Sequence, residues 1–265
     1  MARYTVRRIL QIIPVFFLAT ALIFVIIRWL PGDPVRAIGG ERTLPPATRE
    51  ALIERYDLDE PIWKQYVLYM SDVFQGDFGE SYANRRQVND IFREAIPRTA
   101  ALAGLAVAIE AVIGIGLGVW SALRRDKFAD HAILVSTIIM LAVPVFVMAS
   151  IAQVWIGVKW GILPVSRLDD GFKSYIMPAT IIAIGLTAVT ARLMRGSLVE
   201  TLREDYVRTA KAKGLSPRRV LGVHAMRNAL IPVVTVLAID LGALLGGTIV
   251  TESVFNIPGI GFQIT

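Results

Sequence analysis

The chain has no cysteine and little charge. The absence of cysteine among its 265 residues excludes a disulfide scaffold, a thiolate metal site and a cysteine nucleophile. Only 19% of the residues are charged, below the roughly 25% that is typical of soluble domains. A soluble chain of this length would have too little polar surface to cover its core. The composition therefore excludes intrinsic disorder, and it excludes a nucleic-acid-binding domain in spite of the net charge of +6.

Hydrophobic residues make up 54% of the chain, and they come in five long blocks. Each block is close to the roughly 20 residues that a helix needs to cross a bilayer. The sequence therefore predicts an all-α polytopic membrane protein, with a kink at Pro144 in the third span. The predicted spans run from about Ile9 to Leu30, Thr99 to Leu123, Ala132 to Val158, Tyr175 to Met194 and Ala229 to Thr251.

Lys and Arg residues are concentrated before the first span, after the second and after the fourth. The fourth loop alone carries nine of them between Arg192 and Arg227. Because positive residues favour cytoplasmic loops, these three segments are predicted to be cytoplasmic, and the first and third loops to face outward. The chain stops shortly after the fifth span, and we expect a sixth span beyond it.

The outward segment from about residue 31 to residue 98 is too long for a simple connector and is predicted to fold. Helices are expected over Ala47–Tyr56 and from Pro61 to about Phe74, where Gly76 stops the second one. This second helix either packs on the membrane face or contacts an external partner, and the two roles are compatible. Its apolar face consists of Ile62, Tyr66, Tyr69 and Val73.

The fourth loop contains signals for two short helices. Asp205 is expected to cap a helix over Tyr206–Lys213 that ends at Gly214, and Ser216-Pro217 opens a second helix toward Asn228. The first helix fits either a groove on another protein or a position against anionic lipid headgroups. One face of it is predicted to contain Tyr206, Thr209, Ala210 and Lys213.

The segment Glu204-Asp-Tyr-Val-Arg-Thr-Ala-Lys-Ala-Lys-Gly-Leu-Ser-Pro-Arg-Arg-Val-Leu221, followed by His224–Pro232, resembles the EAA loop of ABC importer permeases. It is most similar to the B-type subunit of the dipeptide, oligopeptide and nickel uptake systems. The general pattern has Glu-Ala-Ala where this chain has Arg208-Thr209-Ala210, which is typical of the peptide subfamily. Further segments resemble the family in the same order: Leu30–Pro34, Tyr56–Pro61, Gly76–Gly79 and Gly242–Gly261.

This resemblance implies a type I ABC importer transmembrane domain over residues 1–265, with core spans at about 99–251 and a coupling loop at about 195–228. It also implies a bacterial cell membrane protein with its N-terminus in the cytoplasm. The implied partners are a second homologous permease, two cytoplasmic ATPases, an extracytoplasmic substrate-binding protein and membrane lipid, with no nucleic acid. The implied contacts to the ATPase are Asp205, Tyr206, Arg208, Thr209, Ala210, Lys213 and Gly214.

The resemblance implies a permease subunit for di- or oligopeptides rather than an enzyme. A nickel chelate, haem or glutathione is an alternative substrate, and an ion-coupled secondary transporter is an alternative class. The chain has no G-x-x-x-x-G-K-[ST] phosphate loop. We therefore expect no cofactor on this chain, and ATP and Mg on the partner subunits.

Two carboxylates lie within predicted spans, Glu110 and Asp240. An ionised group is costly in hydrocarbon, so each is expected either to line the translocation pathway or to bond a neighbouring helix. Glycines at i, i+4 spacing allow membrane helices to approach closely. Helix packing within or between subunits is therefore predicted at Gly114 with Gly118 and at Gly242 with Gly246.

Overall fold

The computed structural model describes residues 2–29, 57–81 and 86–264, together with the single positions 46, 50, 53 and 54. Most of the helix predicted over Ala47–Tyr56, and the whole of Leu30–Pro34, lie outside these residues. The described residues are predominantly helical, with one isolated antiparallel bridge between Glu80 and Gln87. They form two compact units, Met1–Ile91 and Phe92–Thr265.

Two complete helices and the start of another are described in the first unit. Helix α1 covers Ala2–Trp29 and begins before the predicted span, because the short polar N-terminal segment continues the same helix. Helix α2 covers Ile62–Phe74, with Pro61 as its N-cap rather than its first residue. Gly76 follows with φ +85°, a left-handed conformation that glycine adopts without strain. The predicted bounds of α2 are therefore observed to within one residue.

Helix α2 packs on α1 through aromatic side chains. The Phe24 ring lies 5.6 Å from the Tyr66 ring and 5.8 Å from the Tyr69 ring, between centroids. The hydroxyl groups of Thr20 and Tyr66 are 2.8 Å apart. Two residues of the predicted apolar face thus pack within this unit, whereas Ile62 remains exposed.

The second unit begins within α3, which covers Val88–Leu123. Helix α4 covers Phe128–Ala142, and α5 covers Val145–Ala152 and continues as a π-helix over Gln153–Lys159. Helix α4 and helix α5, taken with its π-helical continuation, meet at an angle of 94°. Proline disfavours the helical conformation of the residue before it, and Val143, which precedes Pro144, is extended. The kink expected at Pro144 is therefore a sharp break, either within one span or in a re-entrant loop.

Four further helical segments complete this unit. Helix α6 covers Lys173–Thr201, α7 covers Asp205–Ala212, α8 covers Pro217–Leu245 and α9 covers Ile249–Phe255, followed by a short 3₁₀ turn. Two predictions were wrong here. The helix opened by Ser216-Pro217 is not separate from the fifth span, because the π-helical segment Val220–Ala225 joins the two. The fifth span ends at Leu245 rather than Thr251, because the backbone turns at Gly247, with φ +106°.

Helix α6 is the central element of the second unit. Of its most apolar 18-residue stretch 56% is buried, against 33% for α3 and 11% for α8. Small residues such as Ala179, Ala183 and Ala191 are fully buried along it, so its neighbours approach closely. Four described helices are long and apolar enough to cross a membrane, and the bent α4–α5 pair is a fifth when it is taken as one span.

Candidate functional site

The loop between α6 and α8 folds as the short helix α7, one residue earlier at each end than the predicted Tyr206–Lys213. Glu204 is its N-cap, with extended backbone angles, and forms no side-chain capping bond among the described residues. The prediction that Asp205 is the cap was therefore wrong. Asp205 lies in the first turn, where a negative charge still interacts favourably with the helix dipole.

The C-terminal end of α7 is closed by a glycine motif. Gly214 has φ +75°. Its N–H donates to the Lys211 carbonyl at 3.0 Å, and the Leu215 N–H donates to the Ala210 carbonyl at 3.4 Å. These are the two hydrogen bonds of a Schellman motif. The end predicted from Gly214 is thus observed, and α7 has a fixed stop before α8 begins.

Helix α7 is anchored by a small apolar cluster of its own. Val207 and Ala210 are buried against Val220 at the start of α8, with Leu202 and Leu215 packed around them. Residues at i and i+3 share one helix face, so Val207 and Ala210 define the inner face of α7. The prediction that Ala210 shares an outward face with Tyr206 and Thr209 was therefore wrong.

The outer face of α7 is polar and basic. Tyr206 is 41% exposed, and its hydroxyl accepts a hydrogen bond from the Asn228 side chain at 2.7 Å. Arg208 and Asp205 form an exposed ion pair at 3.3 Å, and the Thr209 hydroxyl donates to the Asp205 carbonyl. We define the basic surface as the exposed positive residues on and beside α7: Arg203, Arg208, Lys211, Lys213, Arg218 and Arg219.

Glu110 joins α3 to α6. Its side chain is fully buried, and Oε1 accepts a hydrogen bond from the Thr190 hydroxyl at 2.5 Å. The second oxygen, Oε2, has no hydrogen-bond partner among the described residues. The half-buried Asp240 on α8 lies near enough for its carboxylate to act on that of Glu110. The helix-bonding alternative is thus observed for one oxygen of Glu110, and the pathway alternative remains a prediction.

The two predicted glycine pairs have different surroundings. A Cβ atom at Gly118 would lie 2.6 Å from the Ala191 carbonyl oxygen and 2.6 Å from the Met194 Cβ. A Cβ atom at Gly114 would lie 2.9 Å from the Thr190 methyl group. This pair therefore lies at the contact between α3 and α6. In contrast, no atom of the described chain outside its own helix lies within 4 Å of a Cβ built at Gly242, and Gly246 meets only a carbonyl of its own turn.

A buried acidic residue that the sequence did not single out is Glu252, on α9. Its side chain is fully buried. Oε1 accepts a hydrogen bond from the Thr99 hydroxyl at 2.9 Å, and Oε2 accepts one from the Phe262 N–H at 2.9 Å. The Thr99 hydroxyl in turn accepts from the Ile260 N–H at 2.8 Å. The segment after α9 is therefore held around one carboxylate and against Thr99 of α3.

Two glycines make this arrangement possible. A Cβ atom at Gly259 would fall against the Thr99 hydroxyl and 2.6 Å from a Glu252 oxygen. A Cβ atom at Gly261 would lie 2.7 Å from the Ile249 nitrogen. The signal in the sequence was the pattern of Glu252 followed by Pro-Gly-Ile-Gly261, but nothing in one sequence shows that these residues surround a carboxylate.

A metal centre is not indicated: within the described ranges, no three His, Asp or Glu side chains are close enough together to hold an ion. Comparison with known proteins identifies the kind of membrane protein instead. Residues 114–265 match the family described as binding-protein-dependent transport system inner membrane component. The chain belongs to this family. Residues 1–103 match the N-terminal family model for the membrane components of the same transport systems, so the match extends over both units.

Sequence similarity to known transport proteins extends over nearly the whole chain. It is 38% identical to the di/tripeptide transport system permease protein DppB of Pseudomonas aeruginosa, over 98% of this chain and 86% of that protein. It is 35% identical to the dipeptide permease DppB of Escherichia coli K12 over the same shares. It is 36% identical to the glutathione permease GsiC of Escherichia coli K12, over 98% of this chain and 85% of that protein. The predicted resemblance to ABC importer permeases of the peptide family is thus confirmed.

Proposed function

We propose that this chain is one of two permease subunits of an ATP-driven importer that takes up di- and oligopeptides. The observation that carries the substrate class is the similarity over 98% of the chain to permeases for di- and tripeptides and for glutathione, which is itself a tripeptide. These relatives share one substrate chemistry, a short peptide. Glutathione remains the alternative substrate within the same class.

Helix α7 is the proposed contact with the ATPase. Its apolar side is satisfied inside the permease by the cluster around Val207, so its polar face is free for a partner. Tyr206 provides a half-exposed aromatic anchor at one end of this face, and the basic surface provides charges. A helix in a groove is a common mode of recognition. The charge rule supports a cytoplasmic position for this loop, and with it a cytoplasmic N-terminus.

Transport requires that the ATPase contact differ in energy between the inward-open and outward-open states. The packing of α7 against its neighbouring helices supports such coupling. Val207 and Ala210 pack against Val220 of α8, and Leu202 joins the same cluster from the end of α6. A displacement of α7 would therefore be transmitted to both helices. Because the sequence has no phosphate loop, the ATP is expected to bind to separate subunits.

The other proposed partners are a second, homologous permease and an extracytoplasmic binding protein that selects the peptide. Only 11% of the most apolar stretch of α8 is buried within this chain. Its remaining surface, which includes Gly242, is available to the second permease or to lipid. Small residues on such a surface support close helix approach.

Reconstitution tests the proposal directly. The chain is inserted into liposomes with its partner permease and ATPases, and uptake of a labelled dipeptide is measured with the binding protein present. We expect uptake of the labelled dipeptide to require ATP in the compartment that the ATPases face. We also expect unlabelled glutathione and unlabelled tripeptide to compete with the labelled dipeptide to different extents. Uptake by this chain alone, driven by an ion gradient without ATPase, would instead support the secondary transporter.

A further inference from the structure

The side chain of Asp130, near the start of α4, accepts four hydrogen bonds. It is 1% exposed. Arg195 of α6 donates from Nε and from Nη2 to the two carboxylate oxygens, each at 2.6 Å. The Ser121 hydroxyl of α3 also donates to Oδ1, and the Asp126 N–H donates to Oδ2 at 2.9 Å. One buried carboxylate thus joins α3, the α3–α4 turn, α4 and α6.

This arrangement is specific to a carboxylate and a guanidinium group. A bidentate pair fixes both the distance and the orientation of the two helices. Arg195 is 23% exposed at its side chain, so the pair lies at an edge of the packed bundle rather than deep within it. Removing one partner would leave the other charge with little solvent, which is costly. We therefore expect the pair to remain formed while the helices move.

The pair lies close to the proposed coupling helix. Arg195 is followed along α6 by Leu198, which is fully buried in a cluster with Ala122 of α3 and Ala225 of α8. Leu202, at the end of α6, packs against this cluster and also against the cluster that anchors α7. A continuous set of packed side chains therefore runs from Leu198, three residues after Arg195, to Val207 on α7.

We propose that Asp130 and Arg195 are positioning residues for energy coupling, which make α3, α4 and α6 move as one body with α7. The inference rests on the proposed function, because it assumes that an ATPase displaces α7. Without the pair, α7 would still move with the end of α6, but α4 and the α3–α4 turn would no longer follow. Motion at the ATPase would then be only partly converted into opening of the pathway.

The first experiment compares Asp130→Asn with Asp126→Asn in the complete complex. The control substitution is chemically identical. Asp126 is an exposed residue of the same turn, and its side chain forms a 3.4 Å ion pair with Arg125 instead of bonding the Asp130–Arg195 pair. It has φ +61°, a conformation that asparagine tolerates well. The readout is the stimulation of ATP hydrolysis by peptide-loaded binding protein, measured beside membrane insertion and co-purification with the ATPase.

We expect Asp130→Asn to be less stable but still to insert and to assemble, because the asparagine oxygen can accept from Arg195 and the Arg195 side chain is 23% exposed. Basal ATP hydrolysis should be retained and its stimulation reduced by about tenfold. Asp126→Asn should match the wild type. Normal stimulation and uptake in Asp130→Asn would overturn the proposal. A failure of Asp130→Asn to accumulate or assemble would also overturn it, because the pair would then serve folding rather than coupling.

A second experiment replaces the ion pair by a covalent link. The chain contains no cysteine, so the double variant Asp130→Cys/Arg195→Cys provides the only two thiols in a complex with cysteine-free partners. If the pair serves to hold α4 to α6, a short bifunctional thiol reagent should restore the lost stimulation. Stimulation that stays low after complete crosslinking would contradict the one-body model. A failure of the proposed function would appear already in the wild-type complex, as an absence of ATP-driven uptake.

Discussion

Replacing Gly118 by alanine should push α3 and α6 apart. The added Cβ would lie 2.6 Å from the Ala191 carbonyl oxygen and 2.6 Å from the Met194 Cβ. Neither atom belongs to the flexible end of a side chain, so relief requires a shift of helix backbone. Gly116 lies on the same helix two residues earlier, and no atom of the described chain outside that helix comes within 4 Å of a Cβ built there. Gly116→Ala is therefore the matched control.

The expected magnitudes follow from two opposing terms. Glycine in a helix interior is about 1 kcal/mol less favourable than alanine, so both substitutions gain this amount. Overpacking a tight contact costs about 1–3 kcal/mol, and only Gly118→Ala incurs this cost. We place the cost near the upper end of that range, about 2–3 kcal/mol, because one opposing atom is a backbone carbonyl. Gly116→Ala should thus stabilise the protein by about 1 kcal/mol, and Gly118→Ala should destabilise it by about 1–2 kcal/mol.

The measurement is the free energy of unfolding in mixed detergent micelles, followed by the loss of helical circular dichroism signal. The informative quantity is the difference between the two variants, because it cancels the helix propensity term. A difference of less than about 0.5 kcal/mol, the usual size of an uncoupled surface effect, would refute the claim that Gly118 permits the contact between α3 and α6.

Three other predictions concern α9 and α7. Glu252→Gln should lower the free energy of unfolding by about 2 kcal/mol, measured in the same assay, because an amide placed at Oε2 would face the Phe262 N–H donor. Gly214→Ala should cost about 1 kcal/mol through its left-handed backbone alone, since its Cβ would meet no described atom within 4 Å; thermal unfolding beside Gly116→Ala separates this backbone effect from packing. Arg208→Glu should weaken co-purification with the ATPase while leaving membrane insertion unchanged, whereas Ala210→Trp should reduce both because Ala210 is buried.

The spans could be predicted from the sequence because hydrophobic length alone decides whether a helix can cross a bilayer. Their ends and breaks depended on local chemistry that hydropathy does not register. The turn at Gly247 ended α8 early, and the π-helical segment Val220–Ala225 joined the helix predicted from Ser216-Pro217 to the fifth span. Proline at the first turn of a helix is tolerated, and Pro232 lies inside α8 without ending it.

The candidate site was predictable in position but not in orientation. Gly214 marked the C-terminal end of α7 and Pro217 marked the start of α8, and both are local signals. Which side of α7 faces inward depends on Val220 and Leu202, which approach it only in the folded chain. The bonds of Asp130 to Arg195 and of Glu252 to Thr99 join residues far apart in the sequence. A single sequence carries no signal for such pairs.

The length of helix α3 gives the approximate distance between two buried carboxylates of the second unit, Glu252 and Asp130. Its Thr99 donates to Glu252 and its Ser121 donates to Asp130. These two positions are 22 residues apart, which is about 33 Å at the rise of an α-helix. That length is close to the roughly 30 Å thickness of the hydrocarbon core. We therefore expect the two multiply bonded carboxylates to lie near opposite boundaries of the core, where each holds neighbouring segments together.

Glu110 lies halfway between these positions, where a carboxylate is most costly and where the Thr190 hydroxyl donates a hydrogen bond to it. Anchoring α3 to α6 does not require a charge there, because a glutamine oxygen would accept the same bond. Glu110→Gln should therefore keep the free energy of unfolding within about 1 kcal/mol of the wild-type value. If the carboxylate serves the pathway, peptide uptake by the reconstituted complex should fall several-fold in this variant, and Thr190→Val, which removes the hydrogen bond instead, should mainly reduce stability. Unchanged uptake in Glu110→Gln would show that the carboxylate has only a structural role.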